Sequence, residues 1–126
     1  MLGRQADVTY VVRNTTRLTT IGDRIAKAGT SSERTTGLLR RTGLENGEGL
    51  WIIPCEAVHT FFMKFALDLV YIDRKHCIRK VVRNVAPWRV SACLSAHSII
   101  ELPAGTIDAS GSQRGDQLEI SPGLAV

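Results

Sequence analysis

Between Pro54 and Asp73 the chain reads PCEAVHTFFMKFALDLVYID, which puts a cysteine, a histidine, a methionine and an aspartate within fourteen positions. Histidine is the usual general base near neutral pH, and a carboxylate placed to orient it would make His59 and Asp68 the centre of a hydrolase-like site. Cys55 and His59, four apart, could also share a metal on a helical turn, and CLSAH at 93–97 repeats that spacing. A structural zinc takes four ligands, usually as two tight pairs, whereas His76, Cys77, Cys93 and His97 are scattered singly. The expectation is therefore no metal and no cofactor. Nothing around Cys55 marks the strained elbow or oxyanion hole of a nucleophile.

Alternation along a strand constrains these residues further. In LDLVYID, Leu67, Leu69 and Tyr71 share one face and Asp68 shares the other with Val70 and Ile72. A carboxylate on an apolar face must be paired, hydrogen-bonded or protonated. The simplest reading is a structural aspartate that accepts backbone, Thr or Arg hydrogen bonds, with Thr60, His59 and Arg89 as donor candidates; the functional reading is an acid/base or orienting group in a cleft. His59 falls with Phe61, Met63 and Phe65 if its strand begins there, which suits a satisfied core histidine as well as a base. Glu101, between Ile100 and Leu102, is a second candidate buried acid.

The elements that would position these groups are mostly strands. VTYVVR (8–13) is β-branched and extended. A turn is expected at 14–16, then short strands at 17–21 and 24–28 across Gly22-Asp23. Thr30-Ser31-Ser32-Glu33 has capping-box spacing and starts one helix, near residues 31–42, that stops at Gly43. After the glycine-rich loop 45–49 the pattern gives strands at 50–54, 59–65, 67–73, 77–83, 98–103 and 117–121. A loop is expected at 86–90, where Pro87 restricts its neighbour, and turns over 104–116. Seven or eight short strands with one helix imply a mainly β (α+β) single domain over 1–126, a small curled sheet or partly closed β-barrel.

Composition sets the outer bounds. The 126 residues are 44% hydrophobic and 22% charged, and 16 Lys+Arg against 12 Asp+Glu give a net charge of +4. That suits one folded domain and demands neither nucleic acid nor membrane. Three cysteines with no C-x-x-C spacing argue for thiols in a reducing compartment, and the absence of any long apolar run makes the cytoplasm the expected location. From Arg74 to Arg89 there are six Lys/Arg and no acid, which reads as a charged edge strand; a nucleic-acid surface would interleave exposed aromatics, and Trp88 is the one candidate. No phosphate-binding glycine motif is present.

Taken together, ERTTGLL, GEGLWIIPCEAVHTFFMKFALDLVYID, APWRV, IIELPAGT and RGDQLEI resemble, in that order, the small bacterial proteins grouped as domain of unknown function 192. The resemblance spans about residues 20–121 and implies a compact β-rich domain with a short helix near its front. It supplies no biochemical function. The positions matching the family's polar motif are Cys55, His59, Thr60, Asp68, Arg89 and Glu101. Many relatives carry Trp-Met-Lys-Asn-Thr where this chain has HTFFMKF, so a chemistry assigned to His59 would not be one the whole family shares. Some members carry export signals or lipid anchors, which this chain does not show.

The expected site is a polar cleft lined by Cys55, His59, Thr60, Asp68, Trp88, Arg89 and Glu101. Its leading use is non-catalytic binding of a small molecule or a protein segment. The alternatives are a hydrolase-like enzyme using His59 and Asp68, and a weak RNA-associated protein using the basic stretch 74–89.

Overall fold

The computed structural model describes residues 8–29 and 41–123. Nine strands follow one another as β1 (Thr9–Asn14), β2 (Thr19–Ala28), β3 (Glu48–Ile52), β4 (Ala57–His59), β5 (Leu67–Ile72), β6 (Ile78–Val85), β7 (Val90–Ala92), β8 (Ser98–Pro103) and β9 (Leu118–Pro122). One short helix among the described residues, α1 (Thr106–Ser110), lies between β8 and β9. Seven strands form a sheet in the order β6-β5-β8-β3-β2-β1-β9, and β4 pairs with β7 as a separate ribbon. All pairings are antiparallel except β2 with β3.

The sheet curls until its two edges meet at one end. Cys77 and Gln117 form an antiparallel bridge, the Leu118 amide donates to the His76 carbonyl at 2.9 Å, and the Ile78 amide donates to the Asp116 carbonyl at 2.8 Å. The result is the mainly β, partly closed sheet that the strand pattern implies. Curling gives the sheet two buried faces. Val70, Ile72, Ile100 and Leu102 pack with Ile25 and Ile107 on one side; Leu67, Leu69, Tyr71 and Ile99 pack with Met63 and Phe65 on the other. Every residue of β5 is buried, because β5 and β8 lie under cover on both faces.

Four sequence expectations change. Residues 19–28 form one strand, β2, rather than two strands around a turn at Gly22-Asp23, and residues 17 and 18 belong to the turn before it. Bulges absorb the irregularity: Tyr10 faces Ile25 while Val12 faces Gly22, so β2 carries an extra residue there. The bulge turns the amides of Asp23 and Arg24 onto the Gly47 carbonyl, at 3.0 and 2.9 Å, and a Cβ on Gly22 would come within 2.6 Å of Ile25 Cδ1. Second, the strand at 59–65 ends at His59, and 60–65 is a turn; the shared face of His59, Phe61, Met63 and Phe65 therefore does not exist. Third, Val90 opens the short strand β7. Fourth, the turn-rich stretch 104–116 contains α1. The helix expected near 31–42 lies outside the described residues, apart from its last two positions.

Candidate functional site

Thr60 is the clasp of the region. It is buried at the end of β4, where its hydroxyl donates to the Ala86 carbonyl at 2.7 Å and accepts the Arg89 amide at 2.8 Å. Its own amide donates to the Arg89 carbonyl at 2.8 Å, and its carbonyl accepts the amides of Trp88 at 3.0 Å and Met63 at 3.1 Å. One threonine thus fastens the 60–65 turn to the 86–89 loop. Met63 and Phe65 point inward to the core, which leaves Phe61 and Phe62 to face outward.

The clasp assembles a row of rings. His59 stacks on Phe61 with centroids 4.7 Å apart, Phe61 stacks on Trp88 at 5.6 Å, and Phe62 meets Trp88 edge-on at 4.7 Å. Both spacing and angle are those of favourable aromatic pairs. Yet the outer rings remain in solvent: Phe62 is 67% and Trp88 56% exposed, beside Val90 at 70%. Val90 stands opposite His59 in the β4–β7 pair. Phe62 and Trp88 also hold positive φ, 66° and 67°, a conformation bulky side chains resist. His59 Nδ1 accepts the Phe61 amide at 3.3 Å, which fixes the imidazole against the row.

Charge flanks the rings. Lys64 and Arg89 are exposed, and no described carboxylate pairs with either. Arg89 Nη1 lies 3.3 Å from the Trp88 carbonyl oxygen, which ties the guanidinium to the backbone of its own loop. The basic strand behaves differently. Lys80 Nζ donates to the Ala92 carbonyl at 2.8 Å and sits over the Tyr71 ring, and Arg83 pairs with Asp108 at 2.7 Å. β6 is an edge strand of the sheet.

Asp68 lies elsewhere. It is buried on the Val70 and Ile72 face, and its oxygens accept the amides of Asn84 at 2.9 Å, Gly105 at 3.1 Å and Ile107 at 2.8 Å. Its donors are backbone groups of β6 and the α1 turn, not His59, Thr60 or Arg89. The carboxylate fixes α1, and no described hydrogen bond joins it to His59.

Glu101 is on the opposite face, between Leu50 of β3 and Leu69 of β5. It is 7% exposed, and burial pushes its carboxyl up to about 7. Tyr71 shares that face; burial raises its hydroxyl's titration, the Ser91 hydrogen bond at 2.7 Å lowers it, and the charges of Cys55, Cys93 and Glu101 raise it again. Cys55 itself donates to the Ala57 carbonyl at 3.1 Å and, with Glu56 and His97, borders a small cleft of about 240 Å³. None of the three cysteines is in a disulfide, and no three His, Cys, Asp or Glu among the described residues are grouped to hold a metal.

The expected cleft therefore resolves into three places. His59, Thr60, Trp88 and Arg89 converge; Cys55 and Glu101 line the Tyr71 side of the sheet; Asp68 braces α1. Sequence reading missed Phe61 and Phe62, because they were assigned to a strand. It also missed a polar cleft of about 480 Å³ between β2 and α1, lined by Asp23, Arg24, Asn46, Gly105, Thr106 and Ser110 among others, whose walls meet only in three dimensions.

Comparison with known proteins gives the lineage. The family model DUF192, described as Uncharacterized ACR, matches residues 10–120. A UPF0127 protein of Thermococcus sibiricus (strain DSM 12597 / MM 739) is 31% identical over 104 residues, covering 76% of this chain and 65% of that protein. The match thus spans just under two thirds of that relative's length. A crystal structure of a protein of Sinorhizobium meliloti 1021, proposed to be a transcription regulator, superposes with a TM-score of 0.79 at 22% identity, covering 90% of this chain and 93% of that one. A protein of unknown function from Novosphingobium aromaticivorans DSM 12444 gives 0.73 at 22% identity, covering 87% and 82%. At that identity the two structures share the fold.

Proposed function

The chain belongs to the DUF192 family, and from that premise we propose that it is a non-catalytic binding domain that holds an acidic segment of a partner protein on the His59–Phe61–Trp88–Phe62 row. The carrying observation is that two large aromatic residues are held in solvent, in a strained backbone conformation, by a buried clasp. Strain of this kind costs stability and persists where the surrounding structure over-determines it, typically at ligand-binding loops. Aromatic residues and arginine are the types that dominate protein interfaces, and here they are contiguous.

Phe62 and Trp88 are largely exposed, which favours a macromolecular segment over an enclosed small molecule. The exposed Lys64 and Arg89 favour acidic residues in that segment. Nucleic acid fits less well, since Lys80 and Arg83 of the basic strand are engaged within the chain. A cytoplasmic setting goes with this reading: three cysteines stand outside any disulfide, and no described helix is long and apolar enough to cross a membrane.

Random linear peptides displayed on phage and panned against the protein should return acidic sequences with an apolar anchor. Trp88→Ala combined with Phe62→Ala should weaken those peptides by about tenfold or more. Recovery of no peptide, or peptides that bind the double variant as tightly as the native protein, overturns the reading.

A further inference from the structure

We propose that Cys55 and Cys93 are a reversible redox pair, which a low-molecular-weight disulfide such as oxidised glutathione converts into a cross-link across the end of the β4–β7 ribbon. The ribbon pairs Ala57 with Ala92, Val58 with Ser91 and His59 with Val90. One step further on, the Cys93 amide donates to the Glu56 carbonyl at 2.8 Å, so Cys93 stands opposite Glu56. Ser91 and Cys93, two apart, lie on the inner face of β7 and its continuation, because the Tyr71 hydroxyl donates to Ser91 Oγ at 2.7 Å. Strict alternation on the facing chain would put Glu56 inside with Val58. Glu56 and Ala57 are instead both exposed, and Cys55 takes the inner place. Cys55, Val58 and Cys93 all pack against the core cluster that contains Tyr71. Both cysteines lie close enough to the Tyr71 hydroxyl for their charges to act on it. The irregularity at 55–57 thus makes the two thiols inner neighbours. A residue one step off the position opposite lies roughly 6 Å away, Cα to Cα, and a disulfide spans roughly 4.4–6.8 Å.

The pair is within reach of a reagent. Cys55 borders the cleft of about 240 Å³ with Pro54, Glu56, Ala96 and His97, and both cysteines are half-buried rather than sealed in the core. The Cys55 thiol donates to the Ala57 carbonyl at 3.1 Å, and Cys93 Sγ lies 3.4 Å from Ser95 Oγ. Both contacts are exposed, so a change of rotamer can turn each thiol toward the other. The exchange balances on two electrons. The Cys55 thiolate attacks one sulfur of oxidised glutathione, breaks its S–S bond and expels one glutathione thiolate, leaving a mixed disulfide. The Cys93 thiolate then attacks Cys55 Sγ and expels the second glutathione. The two cysteines are oxidised, the glutathione disulfide is reduced to two thiols, and the protons lost by Cys55 and Cys93 pass to them through solvent. A bond that forms and reverts by exchange suits a reducing compartment, where disulfides are transient and redox-sensing. Cys77 is the internal control: it sits at the seam where the sheet's edges meet, with Sγ 3.6 Å from the Gly115 carbonyl.

Trypsin separates the three cysteines onto peptides 42–64, 76–79 and 90–114. The reduced, folded chain is treated with oxidised glutathione, quenched by alkylation and mapped by mass spectrometry. We expect a monomer lighter by two hydrogens, with peptides 42–64 and 90–114 joined and Cys77 alkylated. In Cys93→Ser the same treatment should stop at a glutathione adduct on Cys55, and dithiothreitol should reverse both products. The cross-linked protein should melt about 5 °C or more above the reduced one, because the bond constrains the unfolded chain without distorting the folded ribbon. No reaction, a link that involves Cys77, a covalent dimer, a glutathione adduct on the native chain with no internal link, or a cross-linked form that melts at or below the reduced one overturns the proposal. None of these results depends on what the aromatic row holds.

Discussion

The Asp68 carboxylate accepts the Ile107 amide at 2.8 Å, tying the middle of the sheet to a helix thirty-nine residues further on. Two more amides, of Asn84 and Gly105, complete its set. Removing the acceptor leaves three backbone donors, at least one of them buried, without a partner. Asp68→Ala should therefore cost about 1–3 kcal/mol, read as a lower midpoint in a urea titration at unchanged slope. Stability equal to that of the native protein would show that the carboxylate is there for a ligand rather than for α1.

A second buried acid is tuned the opposite way from Glu101. Burial would raise Asp116, but hydrogen bonds from Arg17, Asn14 and the Gln113 amide, together with the Arg17 charge, outweigh it and hold the carboxyl below its usual value. A depressed folded-state value means that its stabilisation is present above the unfolded value and is lost as pH falls through the folded one. Asp116→Asn should cost about 1–3 kcal/mol at pH 7 and flatten the loss of stability below about pH 4. Denaturant midpoints measured between about pH 2 and 7 would check both; an unchanged acid limb would assign acid sensitivity to other carboxylates.

For Glu101 the sign reverses. Its carboxyl is raised to about 7 by burial, so the folded protein binds a proton that the unfolded chain has released. Stability from this group is full below the unfolded value of about 4.3 and falls as pH rises to about 7, a difference of the order of 3 kcal/mol. Glu101→Gln should remove that slope and leave the protein more stable than the native form at pH 8. A glutamine variant less stable at pH 8 would mean that the ionised carboxylate has a stabilising partner.

The alternation of LDLVYID was enough to place Asp68 on the Val70 and Ile72 face, because a strand buried on both sides keeps strict period two. The identity of its donors was not legible: they are backbone amides brought in by a bulged neighbour and a helical turn, and backbone amides carry no sequence signature. The same limit explains HTFFMKF. Its residues favour a strand, yet Thr60 finds six hydrogen bonds with the 86–89 loop and Met63, and these end the strand after His59. Tertiary hydrogen bonding overrode local propensity, and it turned two phenylalanines from expected core into surface. Glu101 was recognisable as a buried acid from its apolar neighbours. Its lack of a partner required the fold.

The aromatic row makes the sharpest separation between a binding surface and a structural one. Phe62 and Trp88 hold φ of 66° and 67°, a region glycine occupies without strain, and most of each side chain is exposed. If the rings stabilise the fold, Phe62→Gly and Trp88→Gly should each lower stability, since ring packing is lost. If the rings are kept for a partner, relief of the left-handed conformation, about 1 kcal/mol at each position, should offset the modest loss of exposed ring contacts. We expect thermal midpoints within a few degrees of native, or higher, for both glycine variants. Thr60→Val is the necessary contrast, because it keeps the rings and removes the clasp's hydroxyl. That change leaves the Arg89 amide and the Ala86 carbonyl without their partner, costs about 1–3 kcal/mol, and lets the row come apart. Trp88 fluorescence reports the second effect: against the constant emission of the buried Trp51, its emission should shift to the red in the valine variant as Phe61 and Phe62 leave it. Glycine variants that unfold as readily as Thr60→Val would make the row part of the core, and the binding surface would have to be sought elsewhere.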